Sequence, residues 1–412
     1  MLVYVQDKNG RPLMPTNRNR AVRHWLKDGK AVVVRLEPFT VRLVDREWGH
    51  TQPLEAGIDL GTAHVGVSVI DDDKEVFAAK FKLRTDISKL LTTRRMFRKT
   101  RRGRKTRYRK PRFSNRKNSD ELAPSVRARI DETHKILRFV MSILPIHHWT
   151  FEIGNFDMQK LNNPDIEGVG YQQGEQYGYS NVREYVLWRD KHTCQACKGK
   201  SKDPKLHVHH IESRKTGSDR PDNLITLCAT CHWRHHNVKP IKLKAPKSYR
   251  AAAQFNIIKA YIMRETVDLN RSSTYGYVTK ARRFEFGIEK SHINDAFVIA
   301  GGEYHERAAA QYFGVFKRKQ NRKLFKGSRP HIRNTIPSAF GFKRGDRVRM
   351  LYGQNGFIYG LRSSGYFDVR RLEGTVLHKS IGHKKLTKLE SAQTLSVERL
   401  LLPRLKSRVS VA

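Results

Sequence analysis

Four cysteines constrain this chain more than any other residues. They fall as Cys194-x2-Cys197 and Cys228-x2-Cys231, two tight pairs with 30 residues between them. Each pair can present two thiolates from one knuckle, and four thiolates around one tetrahedral ion make a closed, structural zinc site. The segment from about 181 to 240 must then fold back on itself as a small metal-held module. Reduced core cysteines would not need the paired spacing. A disulfide framework is the poorer reading, because the N-terminus MLVYVQDKNG lacks the basic, apolar, small order of a secretory signal, and thiols in a reducing compartment stay free.

Charge narrows the partner. The 412 residues, enough for roughly three domains, carry 81 Lys plus Arg against 39 Asp plus Glu, a formal net charge of +42. Such an excess repels itself unless a polyanion offsets it, and nucleic acid is the leading candidate. No stretch approaches the 18 or more apolar residues of a membrane span, so no membrane partner is expected and the chain reads as soluble and intracellular. Arg94 to Lys117 holds 14 basic residues in 24 and no acid, interleaved with Phe97, Tyr108 and Phe113. A solvated helix face normally mixes signs, so this run reads as an arm or helix laid along phosphates. Between Lys317 and Arg349 another 12 basic residues meet one acid, Asp346.

Periodicity and turn residues outline an α/β multidomain chain. A turn-rich start (Asn9-Gly10, then Pro12-Leu13-Met14-Pro15) leads into a basic helix near 17–29 and apolar runs at 31–36 and 41–44. Two β-branched runs within 56–70 and a third at 75–81 read as the opening meander of a sheet. A helix is expected over 126–144, stopped by Pro145, and a strand over 148–153 that carries Glu152 in apolar company. Further on come a helix at 248–266, two Tyr- and Phe-bearing strands at 274–286, a short buried helix over 290–302 ended by glycines, and a small β-barrel from Phe342.

Inside the cysteine module lie Val208-His209-His210-Ile211 and Asp222-Asn223-Leu224, leading into Cys228-Ala229-Thr230-Cys231-His232. With the knuckles, these residues resemble the HNH nuclease motif, a ββα-metal hairpin over roughly 60 residues. The resemblance implies that His210 is the general base that activates water, His209 a ligand of the catalytic ion, expected to be Mg²⁺ or Mn²⁺, and Asn223 a residue that helps fix loop and ion. Imidazole suits the base because its pKa lies near working pH. His232, His235 and His236 either extend the metal site or are solvated helix histidines.

Gly57-Ile58-Asp59-Leu60-Gly61-Thr62 resembles both the first phosphate loop of the actin and chaperone ATPases and the first motif of RuvC-type nucleases of the ribonuclease H fold. Company favours the nuclease, since Glu152 and His292-x2-Asp295 supply two more carboxylates and a base. The RuvC resemblance implies that Asp59, Glu152 and Asp295 converge on Mg²⁺ or Mn²⁺, with His292 activating the water. Hard cations take oxygen ligands, and paired ions can hold both the attacking and the leaving oxygen. His292 and Asp295, three apart, share a helix face.

The order of these parts resembles the IscB family, transposon-associated RNA-guided nucleases related to the CRISPR type II effectors. It implies an N-terminal PLMP domain at 1–55, a RuvC fold split into segments at 56–90, 119–180 (with a linker) and 241–315, and an Arg-rich bridge helix at 91–118. An inserted HNH domain with zinc knuckles occupies 181–240, and a basic β-rich domain at 316–412 reads a short motif beside the target. The bridge helix would grip a noncoding guide RNA, the omega RNA, through Arg94, Arg95, Arg98, Arg101, Arg102, Arg104, Arg107, Tyr108 and Arg109. The HNH site would cut the guide-paired strand of a double-stranded DNA and the RuvC site the displaced one, in a monomeric ribonucleoprotein in the prokaryotic cytoplasm. Stretches 154–180 and 241–247 are candidate hinges for the HNH domain. The competing readings are an unguided HNH endonuclease, a non-catalytic RNA-binding protein with a zinc knuckle, and an ATPase.

Overall fold

A computed structural model describes residues 2–103, 122–212, 218–243, 249–317 and 336–400. Arg104, Arg107, Tyr108 and Arg109, most of the basic stretch after Lys317, and part of the second candidate hinge lie outside the described residues. The chain divides into two compact units, Met1–Gly154 with Gln254–Ala412, and Asn155–Ala253.

The first unit opens with β1 (Val3–Gln6), β2 (Pro12–Thr16), helix α1 (Asn19–Lys27), β3 (Ala31–Arg35) and β4 (Thr40–Leu43), in one sheet of order β2-β1-β4-β3. The Pro-Leu-Met-Pro segment expected as a turn is therefore a strand. It is tolerated because β2 is an edge, where a proline removes no ladder bond. Tyr4 fastens this module to the next by donating its hydroxyl to the Val76 carbonyl at 2.9 Å.

Next come β5 (Glu55–Asp59), β6 (His64–Ile70) and β7 (Glu75–Lys82), an antiparallel meander as expected. Helix α2 (Ile87–Arg102), helix α3 (Pro124–Met141) and β8 (His148–Ile153), parallel to β5, follow. Strand alternation explains the two faces. Ala56, Ile58, Val65, Val67 and Val69 point to one side, where they share a core with Ile130, Ile136, Leu137 and Val140 of α3. Gly57, Asp59, Gly66 and Ser68 occupy the intervening positions and so face the other side.

The second unit holds short helix α4 (Met158–Asn162), helix α5 (Val182–Arg189), the antiparallel pair β9 (Leu206–His210) and β10 (Leu224–Cys228), and helix α6 (Ala229–Asn237). The polar stretch after β8 is not a bare linker, since Asp157 caps α4 by accepting from the backbone N–H groups of Gln159 and Lys160.

The chain returns to the first unit within helix α7 (Arg250–Glu265) and continues with β11 (Arg271–Tyr275), helix α8 (Gly276–Glu285), helix α9 (His292–Ile299) and β12 (Gln311–Phe316). The two strands expected over 274–286 are thus one strand end and a helix. Aromatic β-propensity is outweighed there by the burial of Thr279 and Arg283, four apart on one helical face. Strands β13 (Arg347–Met350), β14 (Asn355–Gly360), β15 (Tyr366–Arg370), β16 (Val376–Gly382) and β17 (Leu386–Glu390) form a sheet of order β16-β15-β14-β13-β17 around Val348, Ile358, Phe367 and Val369. Its edge strands β16 and β17 are joined by only the 3-residue turn His383–Lys385, so the sheet must curl, but no ladder closes it among the described residues. The last strand, β18 (Leu395–Arg399), leaves this sheet and pairs with β12. It completes a seven-stranded main sheet of order β11-β8-β5-β6-β7-β12-β18.

Helix α9 lies directly on the second face of β5 and β6. Serine 291 caps its start by accepting from the Asn294 N–H at 3.1 Å, and Gly301 at φ +94° ends it. A Cβ on Gly57 would collide with the Ala296 carbonyl and the Ala300 N–H, and one on Gly66 with the His292 carbonyl. Only glycine allows this approach, which sets His292 and Asp295 over the end of β5. Gly57→Ala and Gly66→Ala should each lower stability by about 1–3 kcal/mol in urea denaturation. Gly103→Ala, where a Cβ would meet helix carbonyls no closer than 3.6 Å, should leave the midpoint unchanged.

Candidate active sites

Four side chains singled out from sequence meet on the main sheet. Asp59 ends β5, and the parallel pairing of Ile58 with Phe151 brings Glu152 of β8 alongside it. His292, the first residue of α9, places Nδ1 2.5 Å from Asp59 Oδ2. Asp295, one turn on, lies 3.1 Å from the Arg283 guanidinium of α8. Burial, and then the charges of Asp59 and Asp295, push the Glu152 carboxyl above the ordinary range against a hydrogen bond from Thr279. Burial and Asp59 likewise raise Asp295, against Arg283. Glu152 and Asp295, partly buried and each raised by the charge of Asp59, are with Asp59 oxygen donors of the kind a hard divalent cation takes, although their oxygens are not drawn into one tight cluster as the cysteine sulfurs are.

Three neighbours escaped the sequence reading. The His64 ring sits 5.4 Å from that of His292, and burial, with Lys80, lowers its pKa. Thr279 and Arg283 hold Glu152 and Asp295 from α8. Only the helical period of α8 could have revealed the last two, and the aromatic content of 274–286 pointed to strands instead.

In the second unit the four cysteine sulfurs all lie within 4.8 Å of one another. Cys197 Sγ and Cys228 Sγ are 3.8 Å apart, close to the edge of a tetrahedron with zinc–sulfur bonds of about 2.3 Å. A hydrogen bond with Ser201 holds the Cys197 thiol down to about 6, so a thiolate is available at neutral pH. The knuckle turn carries Lys198 and Gly199 at positive φ. The residues fit structural zinc, which would tie α5, β9, β10 and α6 together. Cys194→Ser should abolish cooperative melting of this unit and release its zinc, checked by circular dichroism and metal analysis. A folded, zinc-free variant would remove the ion from the structure.

A second ligand group sits beside it. His209, buried on β9, comes within 4.8 Å of His232 and His236 of α6, one ring nitrogen each. Burial, then His235, His232 and His236, push the His209 pKa down to about 4, so its ring is neutral and able to bind a metal near pH 7. His232 and His236, four apart, share one face of α6. The helix histidines left open by sequence thus lie with His209. Asn223, fully buried, instead accepts from the Glu212 N–H at 2.9 Å and donates to the Glu212 and Ser218 carbonyls at 3.1 and 2.8 Å. It clamps the loop between β9 and β10 and is not among the converging imidazoles. His210 Nε2 lies 2.8 Å from the Asp219 carboxylate, a partner the sequence reading did not name. With Nε2 carrying the proton to Asp219, Nδ1 is the free acceptor.

Helix α2 buries none of its residues. Arg94, Arg95, Arg98, Arg101 and Arg102 therefore lie on a helix with no core face. Among the described residues no helix is long and apolar enough to cross a membrane.

Residues 3–174 match the family model described as RRXRR protein, and residues 194–238 match HNH endonuclease. No curated protein matches the chain. Among solved structures, Streptococcus thermophilus Cas9 in complex with the AGAA PAM aligns at 13% identity over 44% of this chain and 26% of that one, with a TM-score of 0.27. The same protein with the GGAA PAM aligns at 13% identity over 51% and 30%, with a TM-score of 0.31. The chain spans less than a third of the length of those proteins.

Proposed function

We propose that this chain, a metal-dependent HNH endonuclease related to the IscB and Cas9 nucleases, cuts DNA under the direction of a bound guide RNA, one strand at each of two sites. What supports this reading is that one strongly basic chain carries two groups of side chains suited to metal-assisted hydrolysis, one in each unit. Asp59, Glu152, His292 and Asp295 lie on the main sheet, and His209, His210, His232 and His236 lie in the second unit. An unguided HNH enzyme has no use for the first set.

The main sheet supports the RuvC assignment. Three antiparallel strands are followed by two parallel ones on the far side of the first, and the carboxylates sit at the end of that first strand. The same packing speaks against an ATPase phosphate loop, because Gly57 is covered by the α9 backbone and Gly61 backs onto the His64 carbonyl.

At this site Asp59 holds the His292 ring through Nδ1, which leaves Nε2 to take a proton from water. Asp59, Glu152 and Asp295 would hold Mg²⁺ or Mn²⁺, which supplies charge at the scissile phosphate. In the HNH site the Asp219 contact at Nε2 would leave His210 Nδ1 to take a proton from the attacking water. His209, His232 and His236 would hold the ion, and three imidazoles suit a borderline transition metal better than Mg²⁺. In this reading the HNH site cuts the guide-paired strand and the RuvC site the displaced strand. Helix α2 lies along guide RNA, the omega RNA, and the C-terminal sheet reads a short motif beside the target. The assembly is a cytoplasmic ribonucleoprotein with one protein copy.

The test is to purify the protein through a high-salt wash and sequence the RNA that stays bound. One structured noncoding RNA with a single variable segment is the expected result. A heterogeneous mixture of cellular RNA would overturn guidance and leave an unguided HNH endonuclease.

A further inference from the structure

Helix α8 has two faces with different employment. Its buried face carries Thr279 and Arg283, which hold the carboxyls of Glu152 and Asp295. An adjacent, exposed face carries Tyr277, Lys280 and Phe284 at spacings of three and four, one continuous stripe along the helix. Tyr277 is 73% exposed and Phe284 66% exposed. At the head of the stripe Tyr275, the last residue of β11, packs on Tyr277 with ring centroids 5.8 Å apart and planes 14° from parallel. The residue between these tyrosines, Gly276, is so close to Glu152 that a Cβ there would lie 3.1 Å from Oε1. The aromatic pair therefore borders the carboxylate site.

An exposed aromatic pair costs solvation and contributes little to a core. The charge around it selects a partner. Lys280 Nζ lies 5.8 Å from the Phe284 ring centroid, and Arg282 adds a second exposed cation to the helix, while Arg283 is engaged with Asp295. Flat π-faces interleaved with cations are the means by which proteins hold single strands irrespective of sequence, bases on the rings and phosphates on the charges. Duplex DNA keeps its base faces covered and cannot use them.

We propose that Tyr275, Tyr277 and Phe284 form a stacking platform for single-stranded DNA that leads the displaced strand into the Asp59–Glu152–Asp295 site. This rests on the RuvC reading of that site. A helix is about 10 Å across, so a strand whose bases stack on the outer face of α8 needs only a step of one or two nucleotides to round Tyr275 and present a phosphate to Glu152. The platform fixes register and excludes paired DNA, so the site acts once the strand is freed.

The experiment uses the full chain carrying Asp59→Asn, which prevents cutting, and a single-stranded DNA oligonucleotide with one 2-aminopurine. Quenching of the fluorescent base reports stacking, and titration reports affinity. Tyr277→Leu is expected to abolish the quenching and weaken binding about tenfold. Tyr277→Trp should retain both, and Tyr275→Leu should show an intermediate loss. In the cutting-competent chain Tyr277→Leu should slow displaced-strand cleavage through KM more than through kcat. Unchanged quenching and affinity in Tyr277→Leu, with a normal melting profile, would overturn the platform. Equal quenching by single-stranded RNA of the same sequence would overturn its assignment to DNA. Failure of the underlying reading is distinguishable, since Asp59→Asn would then leave displaced-strand cleavage intact whatever the tyrosines do.

Discussion

Asp59→Ala is expected to lower cleavage of the displaced strand at least about a thousandfold, with the guide-paired strand still cut at its normal rate. The loss is compound, since Asp59 is both an ion ligand in this reading and the group that holds His292 Nδ1 at 2.5 Å. Removing an oriented general base alone costs about 10²–10⁴. Labelling each strand of a target duplex separately reads the two rates. Loss of both cuts, with RNA binding unchanged, would show that the sites are not independent.

This site should also carry its own pH dependence. Glu152 and Asp295 are held above the ordinary carboxyl range by burial and by their neighbours. Protons therefore compete with the ion at higher pH than free carboxyls of about 3.9–4.3 would allow. The acid limb of displaced-strand cleavage should move to lower pH as divalent ion is raised. For stability the sign is the reverse of a salt-bridged acid. Groups whose folded pKa is raised favour folding at low pH, and that contribution is lost as pH rises through the folded value. Added Mg²⁺ should consequently raise the melting temperature more at pH 7 than at pH 5.

His210→Ala is expected to give the complementary result, cleavage of the paired strand lowered about 10²–10⁴-fold with the displaced strand still cut. Asp219→Asn should give a smaller loss of the same cut. It leaves the imidazole in place but removes the carboxylate, 2.8 Å from Nε2, that orients the ring. Strand-specific labelling again separates the outcomes, and equal effects of either substitution on both strands would break the assignment.

Much of the second unit was legible along the chain. The two knuckles and His209-His210 are local patterns, and the sulfurs and rings that must meet lie on one hairpin and the helix that follows it. Asn223 was expected to help fix loop and ion, and its amide does hold the loop backbone, while His232 and His236, left open from sequence, stand with His209. A helix face is a matter of three and four residue spacing, while which face turns toward β9 depends on packing against it.

The main-sheet site divides differently. The RuvC resemblance pointed to Asp59, Glu152, His292 and Asp295 as the groups to watch. Spacing alone paired the four cysteines into one candidate metal module, and charge alone favoured a polyanionic partner. Tertiary structure alone decided that Gly57 and Gly66 are clearance for α9, that Thr279 and Arg283 hold the carboxylates, that β18 returns to the main sheet, and that Tyr275 and Tyr277 border Glu152. All of these but the Arg283–Asp295 contact join residues far apart in the chain. Such contacts are set by which faces of the sheet and helices are buried together, and no local pattern in a single sequence encodes them.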